Sequence, residues 1–296
     1  MSKRALLMIV LGGLFTTALI ITGCGVKSGP ETPAYPTVAS LLDSAWVHYQ
    51  AADYDSAFSL FTHAAEIDAS EVLAHIGRGW CFFHLGKYKD AHASFDLAIS
   101  LEGIRPTKRI FDEDCEADGS WVIKPLHKPM LGLTSLEIVA NFGLANEMHY
   151  TVKSFTDTTI TLEPKDPAVD LPPTADDILK VNYIFWDKTI TPTDLQIDSY
   201  AGDAAVSAAN LEYLTSIIGA NAALEMNPDY AFEYDQRVKK ERLYILLAQC
   251  YYNLKLFENA LIEVQKLDPT FTVDFEADPT ALYKLQNKIE TLLGGV

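Results

Sequence analysis

Residues 45–64 read AWVHYQAADYDSAFSLFTHA, and residues 79–98 read GWCFFHLGKYKDAHASFDLA. Superimposed at a spacing of 34 residues, Trp46 falls on Trp80, Tyr54 on Tyr88, Ala57 on Ala91, Phe61 on Phe95 and Ala64 on Ala98. A fixed period in the mid-thirties marks a solenoid of helix pairs, in which no single unit can bury its apolar face alone. Leu41, Leu42, Ala45, Trp46 and Tyr49 recur at helical spacing, which predicts a helix ahead of the Ala52-Asp53-Tyr54-Asp55 turn and a second one from Ala57 to Ile67. Residues 73–101 repeat the plan around Gly86-Lys87-Tyr88-Lys89-Asp90. Ala45 and Gly79 each precede the paired small residue, Ala57 or Ala91, by 12 positions, so the antiparallel helices of a pair can approach closely.

These residues resemble the tetratricopeptide repeat (TPR). Gly86, Tyr88, Ala91, Phe95 and Ala98 follow that family's pattern, while the first unit has Ala52 at the usual turn glycine and Ala69 at the usual closing proline. A weaker match runs from Ala223 to Tyr230 and through Ala248, Phe257 and Ala260, with roughly ten residues more than a TPR has between Pro228 and Ala248. That excess is expected to lengthen a helix. Asp278-Pro279 opens a last, capping helix that closes at Gly294-Gly295.

The resemblance implies that the first helix of each pair lines a concave groove. The lining would be Leu42, Trp46, Tyr49 and Gln50, then Ile76, Trp80, Phe83 and His84, joined by Ile245, Gln249, Tyr252 and Asn253. Such a groove is aromatic rather than rich in Lys and Asn, so it lacks the cluster that clamps a terminal carboxylate. It suits a protein or peptide partner of unknown identity, anchored by Trp46, Tyr49, Trp80 and Phe83. The alternative is that this face is core, covered by the residues between the repeats or by the C-terminal helices.

Residues 104–196 break the repeat. Prolines recur, and His149 to Leu162 alternates in hydrophobicity around Thr156-Asp157-Thr158-Thr159, a hairpin signal. Trp121-Val122-Ile123, Leu136 to Phe142 and Val181 to Trp186 are further strand candidates. The predicted fold class is therefore mainly α: a TPR-like solenoid with two repeats over 38–103, a small β-rich insertion over 104–196, and TPR-like helices with a cap over 197–296.

The N-terminus carries a separate message. Lys3-Arg4 precedes an apolar run from Ala5 to Ile21 that ends in Thr22-Gly23-Cys24, the order of an export signal over 1–23. The last residues resemble the bacterial lipoprotein lipobox, which implies cleavage before Cys24 and acylation of Cys24. Residues 25–37, rich in Pro and Gly, then read as a tether. Gly25 rather than Asp after the cysteine favours an outer membrane in a diderm cell; in a single-membrane cell the protein would sit on the outer face.

The formal charge is -17, so a phosphate backbone is repelled and nucleic acid is a poor partner. Asp112 to Gly119 is densely acidic, but its glycine and its last position do not fit a calcium loop, so it reads as a solvated loop. Cys81 and Cys250 fit either a disulfide or small buried hydrophobes. The seven histidines form no zinc motif, and the sequence shows no phosphate loop and no nucleophile elbow. No cofactor, no metal and no catalytic set is expected. A glycan- or metal-binding role for the insertion is the alternative to protein binding.

Overall fold

The computed structural model describes residues 35–295 apart from 142, 145, 146 and 166–170. The export signal, Cys24 and most of the tether lie outside the described residues. Four helical hairpins follow one another: α1 (Val38–Gln50) with α2 (Tyr54–Ile67), α3 (Val72–His84) with α4 (Tyr88–Leu101), α5 (Asp194–Ala209) with α6 (Tyr213–Met226), and α7 (Lys240–Asn253) with α8 (Phe257–Leu267). A ninth helix, α9 (Ala281–Gly294), packs on α7 and α8.

Local chemistry sets the ends of these helices. The Thr37 and Asp53 side chains accept from the N–H groups of Ser40 and Ser56, which caps α1 and α2. Thr193 and Gln196 form a reciprocal capping box at α5. Inside each hairpin one residue takes a left-handed backbone: Ala52, Gly86, Leu211 and Lys255. These four mark equivalent positions. They lie 34, 125 and 44 residues apart, so the second and third hairpins are separated by a large insertion, and the third and fourth by a small one.

The hairpins stack through small residues facing rings. A Cβ added to Gly77 of α3 would stand 2.4 Å from the Phe61 ring of α2, and one added to Gly202 of α5 would stand 2.3 Å from the Phe95 ring of α4. Phe95 thus plays for the third hairpin the part that Phe61 plays for the second, and α4 packs directly on α5 although 92 residues intervene between Leu101 and Asp194. The first helices touch in succession, α1 with α3, α3 with α5 and α5 with α7, which places them along the inside of the curve.

The insertion is a curled antiparallel sheet of seven strands: β1 (Thr107–Glu116), β2 (Val122–Ile123), β3 (Met130–Leu133), β4 (Glu137–Ala140), β5 (Met148–Phe155), β6 (Ile160–Pro164) and β7 (Ile178–Trp186). Its order is β1-β7-β4-β5-β6-β2, with β3 also paired to β7. The hairpin around Thr156 is present as β5 and β6. The sheet is held against second helices. Asn221 of α6 donates to the Leu131 carbonyl at 2.7 Å, and Asn259 of α8 both donates to the Phe155 carbonyl (2.6 Å) and accepts from its N–H (3.2 Å). A buried side-chain amide here takes the place of a neighbouring strand. The sheet therefore lies on the outer side of the solenoid and leaves the concave face to something else.

Two expectations are corrected. The acidic run is not a solvated loop but the end of β1, where a bulge at Asp112 turns Glu113 and Cys115 inward. The excess between Pro228 and Ala248 does not lengthen a helix: α7 has only 14 residues, and the surplus forms a loop from Asn227 to Lys239. Cys81, Cys115 and Cys250 are buried free thiols, which excludes the Cys81–Cys250 disulfide.

Substituting Gly202 with Ala forces the Phe95 ring to move and is expected to cost about 1–3 kcal/mol. Urea unfolding should show that loss, while Gly294→Ala, with nothing within 4 Å of the added carbon, should leave the midpoint unchanged.

Candidate functional site

The groove residues come together on the inner helices, but they are covered. Leu42 and Trp46 of α1, with Ile76 and Trp80 of α3, are nearly sealed from solvent, and Tyr49 is 1% exposed. Phe83 and His84 are partly accessible. The cover is neither the sheet nor, over these residues, the C-terminal helices. It is the α6–α7 loop, whose Phe232 and Tyr234 enter the groove. Tyr234 stacks on Trp46 with ring centres 4.3 Å apart and planes 14° from parallel. Phe232 lies between the two tryptophans, 5.7 Å from Trp46 and 5.8 Å from Trp80. Full burial of one such ring contributes about 1.5–3 kcal/mol, and the ring pairs add to this.

The third hairpin explains why there is room. Counted from the left-handed turn residue, Ala205 stands where Trp46 and Trp80 stand in the first two hairpins, and Ala201 stands where Leu42 and Ile76 do. These small side chains leave a recess beside Trp80. A cavity of about 250 Å³ remains there, walled by Trp80, Phe83, Ala201, Ala205, Val238, Leu243 and Leu246, with Arg237 and Arg242 also lining it. In the fourth hairpin the equivalent face is closed by α9, where Tyr252 donates towards Gln286 at 3.3 Å.

Polar groups pin the loop at its rim. The Tyr49 hydroxyl donates to Asp235 Oδ2 at 3.0 Å and lies 3.0 Å from His84 Nε2. Arg237 grips the same carboxylate through Nε and Nη2 at 2.8 and 2.7 Å. Burial pushes the Tyr49 hydroxyl well above its usual range, with the Asp235 charge adding to the shift. Burial opposes the charge on Asp235, but the Arg237 bonds win and hold its carboxyl below the usual value. Burial, then Arg237, lowers His84.

The base of the loop has a different electrostatic character. Asp194, Asp198, Tyr230 and Glu233 line a cavity of about 240 Å³. Burial raises the Asp198 carboxyl to about 7, against the opposing effect of the Tyr230 hydroxyl beside it. Elsewhere, Glu113 accepts from the Leu126 N–H, His127 Nδ1 and the Tyr183 hydroxyl at 2.7–2.8 Å, which ties the 124–129 segment to the sheet. Among the described residues no group of three or more His, Cys, Asp or Glu is placed to hold a metal ion.

Sequence reasoning did not find Phe232, Tyr234, Asp235 or Arg237. The signal was present as the length excess in one repeat combined with three aromatics in Tyr230-Ala231-Phe232-Glu233-Tyr234.

No family model matches the chain, and no curated protein matches it. Among solved structures, it is similar to the crystal structure of YrrB, described as a TPR protein with an unusual peptide-binding site. The identity is 11%, 88% of each chain is covered, and the TM-score is 0.43.

Because the folded Asp198 carboxyl titrates well above an unfolded one, near 4, it stays neutral in the native state at low pH and must ionise in a half-buried place as pH rises. Stability contributed at this site therefore falls between about pH 4 and 7. Asp198→Asn, a neutral isostere, should melt at a temperature close to the parent at pH 4.5 and several degrees above it at pH 8. A difference that stays flat with pH would show the carboxyl to be solvated.

Proposed function

We propose that this chain is a lipid-anchored cell-envelope scaffold that binds a protein partner non-covalently through the inner face of its helical repeats. One observation carries the reading. The inner face concentrates Trp46, Tyr49, Trp80 and Phe83 and seats a polypeptide segment, the α6–α7 loop, by stacking and by a hydroxyl–carboxylate bond. Rigid aromatic anchors in a row, with polar groups at the edge, are the arrangement that holds peptide chain in grooves. The cavity beside Trp80 is a part of this face the loop leaves unfilled, and its apolar walls, rimmed by His84, Arg242 and the Asp235–Arg237 pair, suit an apolar side chain.

The anchor reading is supported by the basic n-region, the apolar run and Cys24 at its end. Acyl chains on that cysteine would hold the domain at a bilayer at roughly 0.8 kcal/mol per buried CH2. Among the described residues no helix is long and apolar enough to cross a membrane.

A photo-crosslinking residue at Leu246, on the wall of the cavity, should capture one defined protein in intact cells of the source organism. The same label at Leu97, exposed on α4, should not. Phe83→Ala should weaken the Leu246 crosslink at least fivefold with the helical signal intact. Equal capture from both positions would sink the proposal. Cys24→Ser should move the protein from the membrane to the soluble fraction; if it stays in the membrane fraction, the lipid assignment fails.

A further inference from the structure

The loop that fills the groove buries Phe232 as deeply as core, yet it stands outside the repeat. It is extra: the third and fourth hairpins are 44 residues apart at their turn residues, where the first and second are 34 apart. Its main chain is braced mostly by itself. Phe232 N–H donates to the Val238 carbonyl at 2.8 Å, Val238 N–H to the Asp235 carbonyl at 2.8 Å, and Lys240 N–H to the Tyr230 carbonyl at 2.9 Å, with a bridge between Ala231 and Lys239. It is a small hairpin hung between α6 and α7, and its grip on the groove comes from the side chains of Phe232, Tyr234 and Asp235, with one main-chain contact where the Gln50 amide donates to the Tyr234 carbonyl at 3.5 Å.

The fit it achieves is incomplete. Cavities of about 500 and 250 Å³ flank the loop, the larger beside Tyr49, Tyr54 and Tyr234 and the smaller beside Trp80 and Val238. The indole N–H groups of both Trp46 and Trp80 are buried and have no acceptor among the described residues. Buried tryptophan N–H groups ordinarily find a partner, and an unmet buried donor carries the full cost of its lost hydration. Two unpaired indole donors and two half-open clefts border the surface that the loop occupies.

We infer that the Tyr230–Val238 segment is a tethered internal ligand, and that the groove recognises a partner loop carrying two aromatic side chains and a carboxylate in the arrangement of Phe232, Tyr234 and Asp235, which displaces it. The inference rests on the protein-binding reading of the groove and adds the chemistry of the partner. The first aromatic would lie between Trp46 and Trp80, the second would stack on Trp46, and the carboxylate would accept from Tyr49. Arg237 leaves with the internal loop, so the partner must bring its own counter-charge or use His84, which lies 3.0 Å from the Tyr49 hydroxyl. A hairpin-shaped partner is favoured over a floppy peptide because its ordering cost has already been met.

The probe is a head-to-tail cyclised peptide spanning residues 229–240, titrated calorimetrically and by tryptophan fluorescence. In an otherwise intact chain with residues 231–238 replaced by a Gly-Ser linker, the peptide should bind one to one, at least tenfold more tightly than to the parent chain, whose own loop competes. Peptides carrying Tyr234→Ala or Asp235→Asn should bind at least fivefold more weakly. A folded linker variant that ignores the peptide, or binds all three peptides alike, overturns the inference. If the linker variant fails to fold, Tyr234→Ala in the full chain loosens the loop while keeping Phe232. It should bind the parent peptide at least threefold more tightly than the unaltered chain does, and no gain overturns the inference. Failure here with the Leu246 crosslink intact removes the internal-ligand idea alone; loss of the crosslink with peptide binding intact removes the cellular role alone.

Discussion

The phenyl ring of Phe95 between Gly79 and Gly202 is the contact on which the continuity of this solenoid depends. A β-carbon on either glycine would stand within 3 Å of the ring, so both helices approach it as closely as backbone allows. Gly79 belongs to the same hairpin as Phe95, and Gly202 to a hairpin more than a hundred residues further on. Packing of this kind is short-range and intolerant of extra volume. It fixes the third hairpin against the second irrespective of what the chain does between them. Everything on the concave side follows from that registry, including the placing of Ala201 and Ala205 next to Trp80 and the recess that results.

A solenoid whose inner face is strongly aromatic has to deal with exposed apolar surface, since large patches of that kind drive association. Here three devices share the task. The α6–α7 loop covers the first two hairpins, α9 covers the fourth, and the third is given alanines in place of large rings. The loop differs from the other two in being held at its edge by groups whose charge states depend on one another: Tyr49, Asp235 and Arg237. Its base adds Asp198, a carboxyl that titrates near neutrality.

The period of the repeat was legible because it depends on residues that must be small or aromatic for steric reasons: Ala57, Ala91, Phe61 and Phe95 admit few alternatives. The hairpin at Thr156 was legible through strict alternation. The third helix pair was harder to see. Its inner positions are Ala205 and Ala208 instead of aromatics and Ala201 instead of Leu or Ile, Ala220 stands where Phe95 stands in the second hairpin, and only the Thr193-x-x-Gln196 cap betrays the start of α5. Strand β1 was hidden by charge, since Lys108, Asp114 and their neighbours face water while Glu113 turns inward to Leu126, His127 and Tyr183. The groove-filling loop was hidden for another reason. Hydrophobic pattern reports that Phe232 is buried, but not against what, and the tryptophans it meets lie some 150–190 positions earlier in the chain.

The first and last strands of the insertion are partners: Thr107 pairs with Trp186, and Asp187 N–H donates to the Pro106 carbonyl at 2.9 Å. The module therefore enters and leaves the helical array through a neck no wider than two hydrogen-bonded strands. Seen from α4 and α5, some eighty residues have the closure entropy of a short turn, because the ends are already joined. Beyond the neck, β3 rests on α6 and β5 on α8, so the strands that meet neither helix are the ones free to vary without shifting Phe95 against Gly202. The insertion is thus joined to the helical array by one covalent neck, and its further hold on α6 and α8 is made by side-chain contacts alone.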